Sequence, residues 1–396
     1  MSHADALLNA ITPILHDYLA TGVPAISVGV WHKGETRLCA AWGQQADASP
    51  ATPDTYFDLA SVTKLFTTTA FLSFVAQGKV GIDSPLAEIL PEFGGAPRGY
   101  DGGVDPHSKQ ALASNPHLAG QTQDPHAVTF RHLLTHTSGL AAWRPVYQAA
   151  GSAPVSPEQS DPIPRALRWQ RALHFMLTAP FVDPIGTRVR YSDIGLMLLG
   201  EAVARLHGTN LETALNERVL APACLGQVCF NPLQQGIPRA HIAPTEDDPS
   251  WRQRRVWGEV HDENACGVGG VAGHAGLFAR VADVLQFGVL WLTQASIWQI
   301  SPALVQEATR AQVDYDGEAR GLGFQLRTPA ILSAGDYMSL GAYGHTGFTG
   351  TSIWIDPPQQ MVICLLTNSV YLGREVYDPR PFRRAMHSAI YAALAD

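Results

Sequence analysis

Basic charge is what this sequence most lacks. There are four lysines in 396 residues, and 27 basic against 35 acidic side chains leave a net charge of -8. No basic run exists that could neutralise a phosphate backbone, which excludes nucleic acid as a partner. Long apolar runs are missing as well, so no membrane span is expected. The N-terminus, Met-Ser-His-Ala-Asp, has neither a basic start nor a small-residue cleavage site, and a cytoplasmic location is expected from it. Five cysteines (Cys39, Cys224, Cys229, Cys266 and Cys364) are odd in number and scattered. Most of them read as reduced core residues, and Cys224/Cys229 lacks the second pair of a zinc site. No internal repeat is visible. What is present is 46% hydrophobic and 16% charged residues, the composition of an ordinary globular protein rather than a disordered or membrane-spanning one. The length fits two to three domains, or one large mixed domain with an insertion.

Periodicity divides the chain. Leu7, Leu8, Ile11, Ile14, Leu15, Tyr18 and Leu19 lie at helical spacing before Gly22, with Pro13 inside the pattern. Two strands, 25–31 and 36–42, follow as a hairpin turning at Lys33-Gly34. A helix from Ser61 to Gly78 is apolar on most of its circumference and must be buried between layers. Residues 93–128 lose all period and read as a long loop, either a binding loop or a surface excursion. Helical patterns return at 194–206, 211–220, 281–292 and 381–394. Strand-like segments at 322–327, 339–343, 351–355 and 361–367 dominate the C-terminal part, with Gly344 to Gly350 between two of them.

Ser61 and Lys64 carry the first chemical signal. Positions i and i+3 share a helix face, so the Lys64 amine reaches the Ser61 hydroxyl. A hydroxyl is a poor nucleophile unless a base adjoins it, and Ser-Lys is one solution. The N-terminus of a buried helix also favours developing negative charge, so the Ser61 N–H can form half of an oxyanion hole. A capping serine beside an incidental lysine is the competing reading. Elsewhere, His136 reads either as a base or as a locally bonded histidine. Tyr191 reads as a packing residue at a helix start capped by Ser192 or Asp193. His261 and Asp262 precede, and His274 lies within, a glycine-rich run, 267–276, that lacks the Lys-Ser/Thr ending of a phosphate loop. Structural hydrogen bonding is the expectation for them rather than metal ligation.

Ser61-x-x-Lys64, Tyr191-Ser192-Asp193 and His345-Thr346-Gly347, in this order, resemble the serine β-lactamase and penicillin-binding protein superfamily. The layout is similar to its class C branch, which also holds DD-carboxypeptidases, D-aminopeptidases and esterases. The run Leu-Leu-Thr-His-Thr-Ser-Gly-Leu at 133–140 is familiar from the same branch. The resemblance implies an α/β fold of α+β type: an antiparallel sheet from both chain ends, flanked by helices. Residues 1–77 and 279–396 would form that part, with a mainly helical region, 78–278, inserted. It implies a serine hydrolase forming an acyl-enzyme at Ser61, with Lys64 and Tyr191 sharing proton transfers. The N–H groups of Ser61 and Phe348 would hold the oxyanion, and Asp193, His345, Thr346 and Gly347 would contact substrate. No metal or cofactor is implied; the partner is a small-molecule or peptide substrate.

Two departures bear on that substrate. Many relatives have Lys at His345 and Asn at Asp193. Histidine grips a carboxylate less firmly, and ionised Asp193 favours the charged form of Lys64. Efficient β-lactam hydrolysis is therefore not expected as the main activity, leaving a peptide, muropeptide or ester substrate. A true class C β-lactamase and a catalytically silent penicillin-binding or scaffold protein stand as alternatives.

Overall fold

The computed structural model describes residues 3–45, 48–315 and 317–394. An eight-stranded sheet is its centre. The strands are β1 (Ala25–His32), β2 (Glu35–Gly43), β3 (Val313–Tyr315), β4 (Glu318–Arg320), β5 (Gln325–Leu326), β6 (Tyr343–Thr346), β7 (Ser352–Asp356) and β8 (Met361–Thr367). Their spatial order is β2-β1-β8-β7-β6-β5-β4-β3, antiparallel throughout. The N-terminal hairpin thus joins the sheet through β1 and β8, Ile26 facing Thr367 and His32 facing Met361.

β8 shows why the sheet lies between two layers. Every residue in it is buried. Successive side chains alternate faces: Val362, Cys364 and Leu366 join one apolar cluster, whereas Met361, Ile363 and Leu365 join the other. The second cluster is closed by α1 (His3–Ala20) and the C-terminal helix α5 (Pro379–Leu394), where Tyr18 stacks on Phe382 at 3.7 Å. On the opposite face lies α4 (Val281–Thr293), seated closely because a Cβ on Gly288 would come within 2.6 Å of Val362. Beyond α4 is α2 (Thr63–Ala76), buried over nearly its whole length. It is fixed to α4 by Phe66 stacking on Phe287 at 4.1 Å and by Trp291 Nε1 donating to Thr69 Oγ1 at 3.0 Å. The region from 78 to 278 is mainly helices and turns, with α3 (Asp193–His207) packed against α2. Among the described residues no helix is long and apolar enough to cross a membrane.

Three expectations change. Ser61 is not in the first turn of α2 but in a 3-10 turn, Ala60–Val62, that leads into it. The helix expected over 211–220 is α-helical only to Leu215 and continues as a wider turn over Asn216–Leu220. The strand expected at 339–343 begins at Tyr343 and runs to Thr346, so His345 and Thr346 lie within the sheet rather than between strands. Pairing with β7 sets this register: Gly344 opposes Trp354, and the Ile353 carbonyl lies only 2.0 Å from where a Gly344 Cβ would be. No other residue type allows that approach.

Candidate active site

The turn that presents Ser61 is held from both sides. Asp58 is buried and accepts hydrogen bonds from the Ala60 N–H at 2.8 Å and the His261 N–H at 2.6 Å. Burial raises the Asp58 pKa, opposed by those two donors. Ala60 adopts a φ of 45°, a left-handed conformation costing a residue with a Cβ about 1–2 kcal/mol. Such strain persists only where the surroundings impose it. Here Thr349 Oγ1 donates to the Asp58 carbonyl at 2.8 Å and Thr351 Oγ1 to the Leu59 carbonyl at 3.1 Å. The loop after β6 is thereby stapled to the residues just before Ser61.

Lys64 lies two residues into α2 and is 1% exposed. Its ammonium donates to Ser61 Oγ at 2.9 Å and to the His274 carbonyl at 3.0 Å, and pairs with Asp193 Oδ1 at 2.8 Å. Burial opposes its charge, but Asp193 and Tyr191 outweigh burial and hold its pKa above the ordinary lysine value. Asp193 is the first residue of α3, whose N-cap is Ser192, accepting from the Gly195 N–H at 3.1 Å. Tyr191, immediately before, places its ring centroid 4.8 Å from Lys64 Nζ. Burial raises the Tyr191 pKa, while Lys64 pulls the other way, and the buried hydroxyl has no hydrogen-bond partner among the described residues.

His136 serves this turn structurally. Its Nδ1 accepts the Ser192 N–H at 3.0 Å, its ring lies 4.6 Å from that of Tyr191, and burial pushes its pKa well below the usual histidine value. His345, on β6, is also neutral: burial first, then Lys64 and Arg320, drive its pKa well down. Its Nδ1–H donates to the Thr346 carbonyl at 2.7 Å, which leaves Nε2 as an acceptor with no partner among the described residues. The cation on that side is buried Arg320, paired with Glu318, its guanidinium 5.3 Å from the Tyr191 ring centroid.

Asp193, Asp262 and His274 bring their ligating atoms within 4.8 Å of one another, a geometry in which a cation could be held. The cation already present is the Lys64 ammonium. Asp262 accepts from His274 Nε2 at 2.9 Å; burial would raise its pKa, but His274 reverses the sign and lowers it well below the usual carboxylate range.

Two adjoining cavities of about 580 and 240 Å³ meet at Ser61, sharing Tyr191, Phe348, His107 and Arg374. Phe348 projects between them, its ring stacked on His261 at 5.6 Å and 5.8 Å from His107. Thr346 and Gly347 line the larger cavity; Asp193 lines the smaller. The structure thus brings together Ser61, Lys64, Tyr191, Asp193, His345, Thr346, Gly347 and Phe348. Sequence reasoning missed several neighbours. The 93–128 segment is part of the cleft wall: Lys109 pairs with Glu263 at 3.4 Å and lies over Trp143. Arg320 and the His274 carbonyl carry no local signal either. Asp58 does, because an aspartate two residues before a helical turn is a usual cap for its free N–H groups.

Known proteins share this plan. The beta-lactamase family profile matches residues 11–385. An Escherichia coli K12 protein named "Putative D-alanyl-D-alanine carboxypeptidase" is 27% identical over 399 aligned residues, covering 94% of this chain and 84% of its own. An N-acetylmuramyl-L-alanine amidase of Bacillus subtilis is 30% identical, covering 82% and 70%. The solved structure of EstCE1, a hydrolase with promiscuous acyltransferase activity, superposes with a TM-score of 0.70 at 20% identity, covering 97% and 99%. With a match over nearly its whole length and a serine-hydrolase arrangement at Ser61, this chain belongs to the beta-lactamase family.

Proposed function

We propose that this serine hydrolase acts on the amide carbonyl of a D-alanyl peptide or muropeptide, through an acyl-enzyme on Ser61. The observation that carries the reading is the buried Lys64 ammonium, 2.9 Å from Ser61 Oγ and 2.8 Å from Asp193. Once the Lys64–Tyr191 pair has lost one proton to solvent, Ser61 Oγ forms a bond to the carbonyl carbon while its own proton passes to that pair. The same pair returns that proton to the leaving amine as the C–N bond breaks. Water then attacks the ester, releasing the acid and restoring the Ser61 hydroxyl. The N–H groups of Ser61 and Phe348 hold the oxyanion in both halves.

Support for a peptide comes from the carboxypeptidase and amidase relatives; Arg320 lines the larger cavity but its guanidinium is already paired with Glu318. A second reading, a carboxylesterase, is favoured by neutral His345, whose Nε2 accepts a hydrogen bond and does not attract a carboxylate. Penicillin turnover as the main activity is disfavoured by Asp193, because it keeps Lys64 charged at rest. The division into 1–77 with 279–396 and an inserted 78–278, and a cytoplasmic location, belong to the same proposal.

A panel of D-Ala-D-Ala peptides, p-nitrophenyl esters and nitrocefin, compared by kcat/KM, separates the readings. We expect the peptide to lead and Ser61→Ala to lose at least about a thousandfold in kcat/KM. Nitrocefin in first place would overturn the assignment.

A further inference from the structure

Arg383, on α5, has no counterpart in the Ser61–Lys64–Tyr191 chemistry, yet it reaches the same loop. It is 4% exposed. Its neighbours Arg380 and Arg384 pair with carboxylates, Asp378 and Asp336. Arg383 instead directs its guanidinium at backbone: Nη2 donates to the Gly347 carbonyl at 2.6 Å and the Thr351 carbonyl at 2.8 Å, and Nε donates to the Gly350 carbonyl at 3.1 Å. A buried guanidinium is costly unless hydrogen-bonded, and three carbonyls of one five-residue loop supply those bonds. Burial lowers its pKa to about 10, so it stays charged at neutral pH.

The Gly347 carbonyl and the Phe348 N–H belong to one peptide unit. A charge-assisted bond to the carbonyl oxygen withdraws electron density through the amide, making the N–H a stronger donor, and fixes the plane of the amide. Gly347 is held tightly as well: a Cβ there would lie 2.1 Å from Thr351 Oγ1 and 2.7 Å from the Leu59 carbonyl. We infer that Arg383 is a positioning residue of the oxyanion hole, acting through the Gly347–Phe348 peptide rather than on substrate. The inference rests on the reading that the Phe348 N–H is an oxyanion donor.

A readout specific to the tetrahedral state tests it. Phenylboronic acid forms a tetrahedral adduct on a nucleophilic serine, with one oxygen in the oxyanion hole. Its inhibition constant is measured against p-nitrophenyl butyrate hydrolysis for wild type, Arg383→Lys and Arg383→Gln, well below each melting temperature, with calorimetric titration of phenylboronic acid into Ser61→Ala as the control that lacks the nucleophile. Arg383→Lys is expected to weaken phenylboronic acid about tenfold and to lower kcat by a similar factor, with KM within about twofold; Arg383→Gln is expected to lose more. Wild type unaffected by phenylboronic acid would overturn the oxyanion reading itself. Wild type inhibited, with both variants equally sensitive or altered in KM alone, would overturn only the role of Arg383. Failure of both variants to fold would likewise count against it, leaving a structural clamp.

Discussion

Lys64 has three donors, and three acceptors surround it: the Ser61 hydroxyl, the Asp193 carboxylate and the His274 carbonyl. In this arrangement the amine is charged and donates to the nucleophile, so a proton must leave the group before Ser61 can be deprotonated. Asp193 sets how readily that happens, because its charge is what overcomes the effect of burial on Lys64. Asp193→Asn keeps an acceptor and removes the charge. The Lys64 pKa then falls, the neutral amine persists to lower pH, and the acidic limb of the kcat/KM profile shifts to lower pH. A pH–rate profile of the two proteins on one p-nitrophenyl ester checks this; an unmoved limb would assign it to another group. The Ser-Lys pairing was legible in the sequence because it lies within one helical turn; the charging effect of Asp193, remote from Lys64 in sequence, was legible only through the three motifs taken together. The neutrality of His345 was legible only in part. Its extent depends on burial and on Arg320, 25 positions earlier, which no local pattern announces.

The site is assembled from ends of elements: the 3-10 turn before α2, the start of α3, the end of β6 and the segment before residue 277. Gly273 shows how closely these fit. A Cβ there would lie 2.2 Å from the Leu196 carbonyl and 2.9 Å from Gly200 Cα, both on α3. This contact seats the neighbouring His274 carbonyl against Lys64. Gly273→Ala is therefore expected to cost about 1–3 kcal/mol of stability through overpacking. It should also lower kcat/KM at least about tenfold as the Lys64 contact shifts. Urea denaturation and steady-state kinetics check the two effects, and full activity in a destabilised variant would separate His274 from catalysis. Helices with a clean period, such as α1 and α4, were legible almost to the residue. β6 was not, because its register comes from β7 approaching Gly344 rather than from alternation in its own sequence.

Across the whole molecule, the hairpin 25–43 and strand β8 meet from opposite ends of the chain, and sequence pattern alone gives no reason for that pairing. The expected layout came from three short motifs taken together. The same distance hides Arg383, which lies 36 residues beyond Gly347 yet touches its carbonyl, and the 93–128 segment, whose lost period says loop but not cleft wall. The apolar run of β8 marked it as a strand, but the sheet flanked by helices came from the family resemblance, and the polar contacts that converge on Ser61 come from residues with no shared period. The central claim is that these remote pieces make one nucleophile. Intact-mass analysis after brief exposure to a fluorophosphonate, followed by peptide mapping, tests it most directly. A single adduct on Ser61, absent from Ser61→Ala and slowed in Lys64→Ala, is the expected result. An adduct on another residue, or none while ester hydrolysis persists in Ser61→Ala, would contradict the account.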